Sequence, residues 1–117
     1  MGSFYFTDKE IECPCCGLNN ADQRTLVKLD NARIKAGIPF TITSGCRCED
    51  HNKAVDGSKE SSHLRGLAFD IRTNDSHSRS IIIQALLHAG FTRIGVAKGF
   101  IHVDNDFTKV QEVIWTY

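Results

Sequence analysis

Two histidines and an aspartate on separate segments of this chain could hold a metal ion. His63 and Asp70 stand in the run Ser61-Ser62-His63-Leu64-Arg65-Gly66-Leu67-Ala68-Phe69-Asp70, and His102 follows in Ile101-His102-Val103-Asp104, 32 residues beyond the aspartate. Two imidazoles and a carboxylate are ordinary zinc ligands, and three of them leave a fourth position for water or substrate, as a catalytic site requires. Gly66 and Ala68, small residues between the first two candidates, suit a chain that passes close to other backbone. Asp104 points to the same sheet face as His102, where it could orient that ring or act as a base. A His-Asp pair is served equally well by a structural hydrogen bond. It is the third candidate, on what reads as a neighbouring strand, that sets zinc level with that reading.

The elements that must position these residues follow from periodicity and capping. Asn20 or Asp22 can cap a helix running to about Ala36, with Leu26, Val27, Leu29, Ile34 and Ala36 on one half of its circumference and Gly37 as its stop. Pro39 to Thr43 reads as strand and ends at Ser44-Gly45. Residues 46–62 are polar and aperiodic, the composition of a long functional loop. Leu67 to Ile71 returns to strand, with Ala68 and Asp70 on one face and Leu67, Phe69 and Ile71 on the other. A helix capped by Ser76 or Ser78 runs to Ala89 and closes at Gly90; its apolar residues wrap most of its circumference, which predicts deep burial. Arg93 to Val96 and Phe100 to Val103, joined through Lys98-Gly99, form a hairpin that would deliver His102 beside the Asp70 strand. Val110 to Tyr117 is a last turn or strand that packs Trp115 on the core. The expected fold is α+β: two helices packed on a small, mainly antiparallel sheet, one domain over residues 1–117 with a Cys-bearing lead-in at 1–20.

Composition narrows the function classes. At 117 residues the chain can bury one core and is too short for two. Fourteen basic and fourteen acidic side chains give a formal net charge of zero, with no basic stripe for nucleic acid. The apolar runs are too short to span a membrane, and Met1 to Asp8 has neither the basic nor the apolar region of a secretory signal. The expectation is a monomer that meets its substrate through a few side chains in a cleft, cytoplasmic until released.

Five cysteines fall in two clusters, Cys13-x-Cys15-Cys16 and Cys46-x-Cys48. An odd count without a signal peptide argues against a secreted disulfide framework. Four of the thiolates could hold a structural zinc. Alternatively they are reduced thiols packed together, or one disulfide joins the clusters; the spacings do not match the usual C-x-x-C knuckle.

Ser61-x-His63-x-x-Gly66-x-Ala68-x-Asp70 resembles the S-x-H-x-x-G-x-A-x-D motif of the zinc D-Ala-D-Ala carboxypeptidases, peptidase family M15. Ser44-Gly45-Cys46-Arg47 resembles the family's S-G-x-R segment, and Ile101-His102-Val103-Asp104 its closing H-V-D element, so that the resemblance spans about residues 22–117. It implies the compact α+β fold of hedgehog and D-Ala-D-Ala-peptidase domains and a zinc peptidase acting on bacterial peptidoglycan. The bond cut is the D-Ala-D-Ala end or the L-Ala-D-Glu bond of the stem peptide, and many small members are phage or prophage lysins. His63, Asp70 and His102 match the zinc ligands, Arg47 the arginine near the scissile carbonyl or substrate carboxylate, and Ser61 a substrate-holding serine. On spacing alone Arg47 is a solvated loop charge. The chain departs from the family before its last ligand, where Val96 to Ile101 offers no acid to activate water. Asp104 is then the nearest catalytic carboxylate, with Glu49, Asp50 and Glu60 on the polar loop behind it. That gap opens a second reading, a zinc-containing cell-wall or protein-binding module of the same fold.

Overall fold

Alternating apolar and polar residues build a sheet with two dissimilar faces. The computed structural model describes residues 2–117. Its strands are β1 (Ile42–Ser44), β2 (Ala68–Arg72), β3 (Arg93–Val96), β4 (Phe100–Asp104) and β5 (Val113–Thr116), in the order β1-β2-β4-β3-β5. Phe69, Ile71, Ile94, Ile101 and Val103 are fully buried on one face and form one apolar cluster with Leu26, Leu29, Ile82, Ala85 and Leu86. The latter lie on the two long helices, α2 (Gln23–Ala36) and α4 (Ser76–His88), which pack on each other over the sheet. The opposite face carries Asp70, Gly95, His102 and Asp104, in register across β2, β4 and β3.

The α+β architecture agrees with the sequence pattern, with differences of physical interest. The β3–β4 hairpin forms as expected, and antiparallel pairing sets Asp70 directly opposite His102. The C-terminal segment is a strand, paired parallel to β3, and makes the sheet mixed. Residues 46–62 are not a plain loop: they contain a helix, α3 (Glu49–Ala54), and lead into a single 3-10 turn at Ser62–Arg65. The lead-in likewise contains a short helix, α1 (Asp8–Ile11), closed by a Thr7–Glu10 capping box. Asp22 caps α2 as expected, but Asp75 rather than a serine caps α4. Burial on the helices is narrower than the pattern predicts. Val27 and Ile34 of α2 and Leu87 of α4 are exposed, because each helix covers a short sheet from one side only. Among the described residues no helix is long and apolar enough to cross a membrane.

The lead-in is tied down by polar contacts. The buried carboxylate of Asp30 on α2 accepts hydrogen bonds from the Ser3 hydroxyl and from the Phe4 (3.0 Å) and Tyr5 (3.3 Å) amides. Ile11 O accepts from Cys46 N at 2.8 Å, and a Cβ on Gly45 would sit 2.6 Å from that same oxygen. Gly66 is tighter still. It adopts φ +70°, and a Cβ there would fall 2.0 Å from Asn20 O. The close backbone approach expected at Gly66 is therefore real, but the neighbour is the segment leading into α2.

Gly37 provides an internal control, with φ +69° and open space where its Cβ would be. Gly37→Ala is expected to cost roughly 1–2 kcal/mol, the left-handed penalty alone, and Gly66→Ala on the order of 4 kcal/mol because a backbone clash adds to it. Urea denaturation of both variants checks this; equal losses would contradict the close approach.

Candidate metal centre

His63, Asp70 and His102 converge on the polar sheet face. One ligand-type atom from each lies within 4.8 Å of the others, and all three residues are buried. Asp70 and His102 meet through strand register, Nδ1 of the ring lying 3.0 Å from Asp70 Oδ1. His63 comes from the 3-10 turn, whose start is capped by the Ser61 hydroxyl accepting from His63 N at 3.2 Å. Its ring stands edge-on to that of His102, with centroids 5.3 Å apart.

The outward ring nitrogens are both engaged. His63 Nδ1 lies 2.7 Å from Gly45 O; a carbonyl only accepts, so Nδ1 carries the proton and Nε2 presents its lone pair. That Nε2 is buried without a hydrogen-bond partner, although it is 3.3 Å from Asp70 Oδ1. His102 Nε2 lies 2.8 Å from Asp104 Oδ2, and Asp104 Oδ1 accepts from Arg93 Nε at 2.8 Å and Asp106 N at 3.1 Å. Imidazoles fixed from behind by a carbonyl and a carboxylate, converging on a carboxylate, are what a divalent metal of the zinc type needs. The orphaned Nε2 of His63 is the observation that marks the cluster as a ligand set rather than a closed hydrogen-bond network.

Electrostatics agree with the geometry. Burial opposes ionisation of Asp70, but the hydrogen bond from His102 and the neighbouring His63 outweigh it and hold the carboxyl well below the usual carboxylate range. Burial also opposes charge on His102, yet hydrogen bonds to Asp104 and Asp70 raise it above an ordinary histidine. Asp104 is lowered against its burial by His102, the Asp106 amide and Arg93.

Arg47 stands at the edge of the cluster, its Nη2 3.9 Å from Asp70 Oδ2. It is not a solvated loop charge: Nε donates to Ser44 Oγ at 3.3 Å, Nη1 to Asn52 Oδ1 at 3.2 Å, and its side chain is only 15% exposed. Asn52, buried on α3, is a residue that sequence reasoning passes over. Its Nδ2 donates to Ser58 O at 2.8 Å, and a Cβ on Gly57 would fall 2.1 Å from its Oδ1. A buried asparagine in a polar, aperiodic stretch leaves no periodic mark to find it by. His51 is half-buried, His77 and His88 exposed, and Glu49, Asp50 and Glu60 exposed on the α3 segment.

The surroundings of Asp104 and Trp115 bear on the roles expected of them. Asp104 holds the far nitrogen of His102 with both its oxygens engaged, so of its two possible roles the geometry favours orienting that ring over activating water. Trp115 does not pack on the core. It lies over Gly95 on the polar face, where a Cβ would meet its indole at 2.7 Å, 5.5 Å from the His102 ring and beneath the Arg93 guanidinium. Asp106 also escapes sequence reasoning: fully buried, it accepts from Ser62 Oγ at 2.7 Å and Arg65 Nη1 at 3.1 Å and so pins the 3-10 turn that carries His63.

Against known families, the family described as Peptidase M15 matches residues 4–104. The match takes in the Cys-bearing lead-in, which lies outside the motif resemblance, and ends before β5. No curated protein matches the chain.

The shifts fix a pH dependence for the metal-free protein. The stability His102 contributes is fully present below the unfolded histidine value of about 6.5 and is lost as pH rises through the raised folded value. That of Asp70 and Asp104 is present above about 3.9 and lost as pH falls through their depressed values. Thermal melting in chelator is expected to be most favourable between about pH 4 and 6.5 from this cluster, with excess zinc restoring stability above that window. A chelated protein whose melting temperature rises steadily from pH 6 to 8 would contradict the arrangement.

Proposed function

The chain belongs to peptidase family M15, and on that premise we propose that it is a zinc-dependent peptidase hydrolysing stem-peptide bonds of bacterial peptidoglycan, of the D-Ala-D-Ala carboxypeptidase or L-Ala-D-Glu endopeptidase type. The observation that carries this reading is the buried His63–Asp70–His102 cluster with a free ring nitrogen and an arginine at its rim. His63 through Nε2, His102 through Nδ1 and Asp70 through its carboxylate would hold the metal. Bound there, zinc supplies a Lewis acid for the scissile carbonyl and a water that ionises near neutral pH.

The protein's own groups do the rest. Arg47, fixed by Ser44 and Asn52, presents a guanidinium where a peptide carbonyl or terminal carboxylate would reach the cluster, and so stabilises developing negative charge. A groove of about 450 Å³ beside it is lined by Asn52, Lys53 and Lys59 together with Glu49 and Asp56, a mixed-charge surface that could receive the polar arms of a stem peptide. Ser61 stands half-buried at the start of the turn bearing His63, where a hydroxyl engaged only with a backbone amide can also face substrate. Asp104 orients His102. A protein of this kind acts on the wall once released from the cytoplasm, as a phage or prophage lysin does.

One observation favours a second reading, a binding module that keeps the metal without turnover. Among the described residues the only carboxylate grouped with the two histidines is Asp70, and both Asp104 oxygens already accept hydrogen bonds on the far side of His102.

Zinc-loaded protein incubated with peptidoglycan is expected to release new peptide termini, identified by mass spectrometry, that vanish with His63→Ala. Arg47→Lys is expected to keep its zinc and lose about 10²–10³-fold in kcat. Asp104→Asn is expected to weaken zinc binding about 10–100-fold. A zinc-loaded chain that binds walls of several chemotypes and cuts none would establish the binding module.

A further inference from the structure

A second group of metal-ligating side chains lies outside this centre. Cys13, Cys15, Cys16 and Cys48 bring their sulfurs within 4.8 Å of one another. Cys13 and Cys15 are separated by 3.6 Å, Cys13 and Cys48 by 3.7 Å, and Cys15 and Cys48 by 3.2 Å. A tetrahedral ion with four sulfurs at about 2.3 Å has its ligands about 3.8 Å apart, whereas a disulfide needs about 2.05 Å. The spacing is thus that of thiolates around a common centre. All five cysteines are free, and the fifth, Cys46, is buried apart from the group with its sulfur toward Asn19.

Local structure gathers these thiols. Cys13 N donates to Leu18 O at 2.7 Å and Gly17 N to Cys13 O at 2.8 Å, with Gly17 at φ +79°, so residues 13–18 close into a tight turn that projects three cysteines from one knuckle. Cys48 arrives from the segment after Arg47. Its amide donates to Cys13 Sγ at 3.4 Å, and the His51 amide to Cys48 Sγ at 3.4 Å, the donors that compensate thiolate charge. The sequence spacing hides this site because the cluster divides three to one rather than two and two.

We propose that Cys13, Cys15, Cys16 and Cys48 form a structural zinc site that clamps the N-terminal segment onto the segment carrying Arg47. The clamp has a clear mechanical target. Cys48 adjoins Arg47, Cys46 N bonds Ile11 O, Arg47 N bonds His63 O at 3.2 Å, and Gly45 O holds the His63 ring. The cysteine site thus fixes the stretch from which both Arg47 and the orienting carbonyl of His63 come. Four protein sulfurs leave no position for substrate, so the ion there is structural.

The test is metal counting on reduced, intact protein, and it is independent of any peptidase activity. His63→Ala is expected to retain about one zinc per chain, and Cys15→Ser/Cys16→Ser, which alters two exposed residues, to lose that one while His63 and its partners keep theirs. Cobalt-loaded wild-type and His63→Ala chains are expected to show intense sulfur-to-cobalt charge-transfer absorption that the double cysteine variant lacks. The wild-type spectrum is decisive even if a variant fails to fold. No charge-transfer band in the wild type, no metal retained by folded His63→Ala, or a disulfide among these four cysteines in the intact mass would each overturn the proposal. Loss of metal from the histidine centre alone would refute the catalytic reading and leave this one standing.

Discussion

The pairing of Asp70 with His102 across β2 and β4 governs the rest of the structure. It places a carboxylate and an imidazole, both nearly buried, at the centre of a sheet whose other face is the apolar core. Buried charges of this kind are tolerated only when every remaining lone pair and proton finds a partner. The surroundings meet that demand in order, with Asp104 behind His102, Arg93 behind Asp104, Gly45 O behind His63 and Arg47 at the rim, and leave the lone pair of His63 Nε2 unmatched by any hydrogen bond. Gly95 is part of the same solution, since only a residue without a Cβ lets the Trp115 indole cover the site from the side of β3.

A consequence is that the polar face cannot be roofed by a helix, as the apolar face is. The Arg47 segment, the 3-10 turn and Trp115 border it instead, while the lead-in joins the apolar cluster through Phe6 and Ile11, which with Cys13 are its buried members among the described residues. Specific devices hold these segments: the Asp30 carboxylate gripping Ser3, Phe4 and Tyr5, the Ile11–Cys46 hydrogen bond made possible by Gly45, and the Asn52–Gly57 contact that shapes the bed of Arg47. Function and stability are therefore coupled through backbone proximity here rather than through side-chain packing.

This division explains how much of the protein is legible in its sequence. The helix from Asp22 to Gly37, the Asp70 strand and the hairpin carrying His102 all follow from periodicity and caps, because local rules and the core demand the same thing there. The candidate ligands His63, Asp70 and His102 are readable from residue type and spacing. Their partners are not: Arg93 and Asp106 act through contacts distant in sequence, Asn52 lies close to Arg47 but in a polar stretch with no periodicity to mark it, and Trp115, an apolar residue near a terminus, reads as core until β5 is seen to lie parallel to β3. Helices α1 and α3 escape for a different reason. Each is short, set by a capping side chain rather than by an apolar stripe, and Cys48, which caps α3, is not a residue that announces a helix.

The two clusters of potential ligands stand in opposite relation to the fold. The histidine centre sits on paired strands and a pinned turn, and in the absence of metal its members bind one another through hydrogen bonds and a raised histidine proton. The thiols, by contrast, sit on a tight turn with one buried member and meet only one another and two backbone amides. They lie where the lead-in meets the segment carrying Arg47, the Cys48 amide donating to Cys13 Sγ. On the two proposals made above, the first cluster would act on a ligand and the second would hold the Arg47 segment in place.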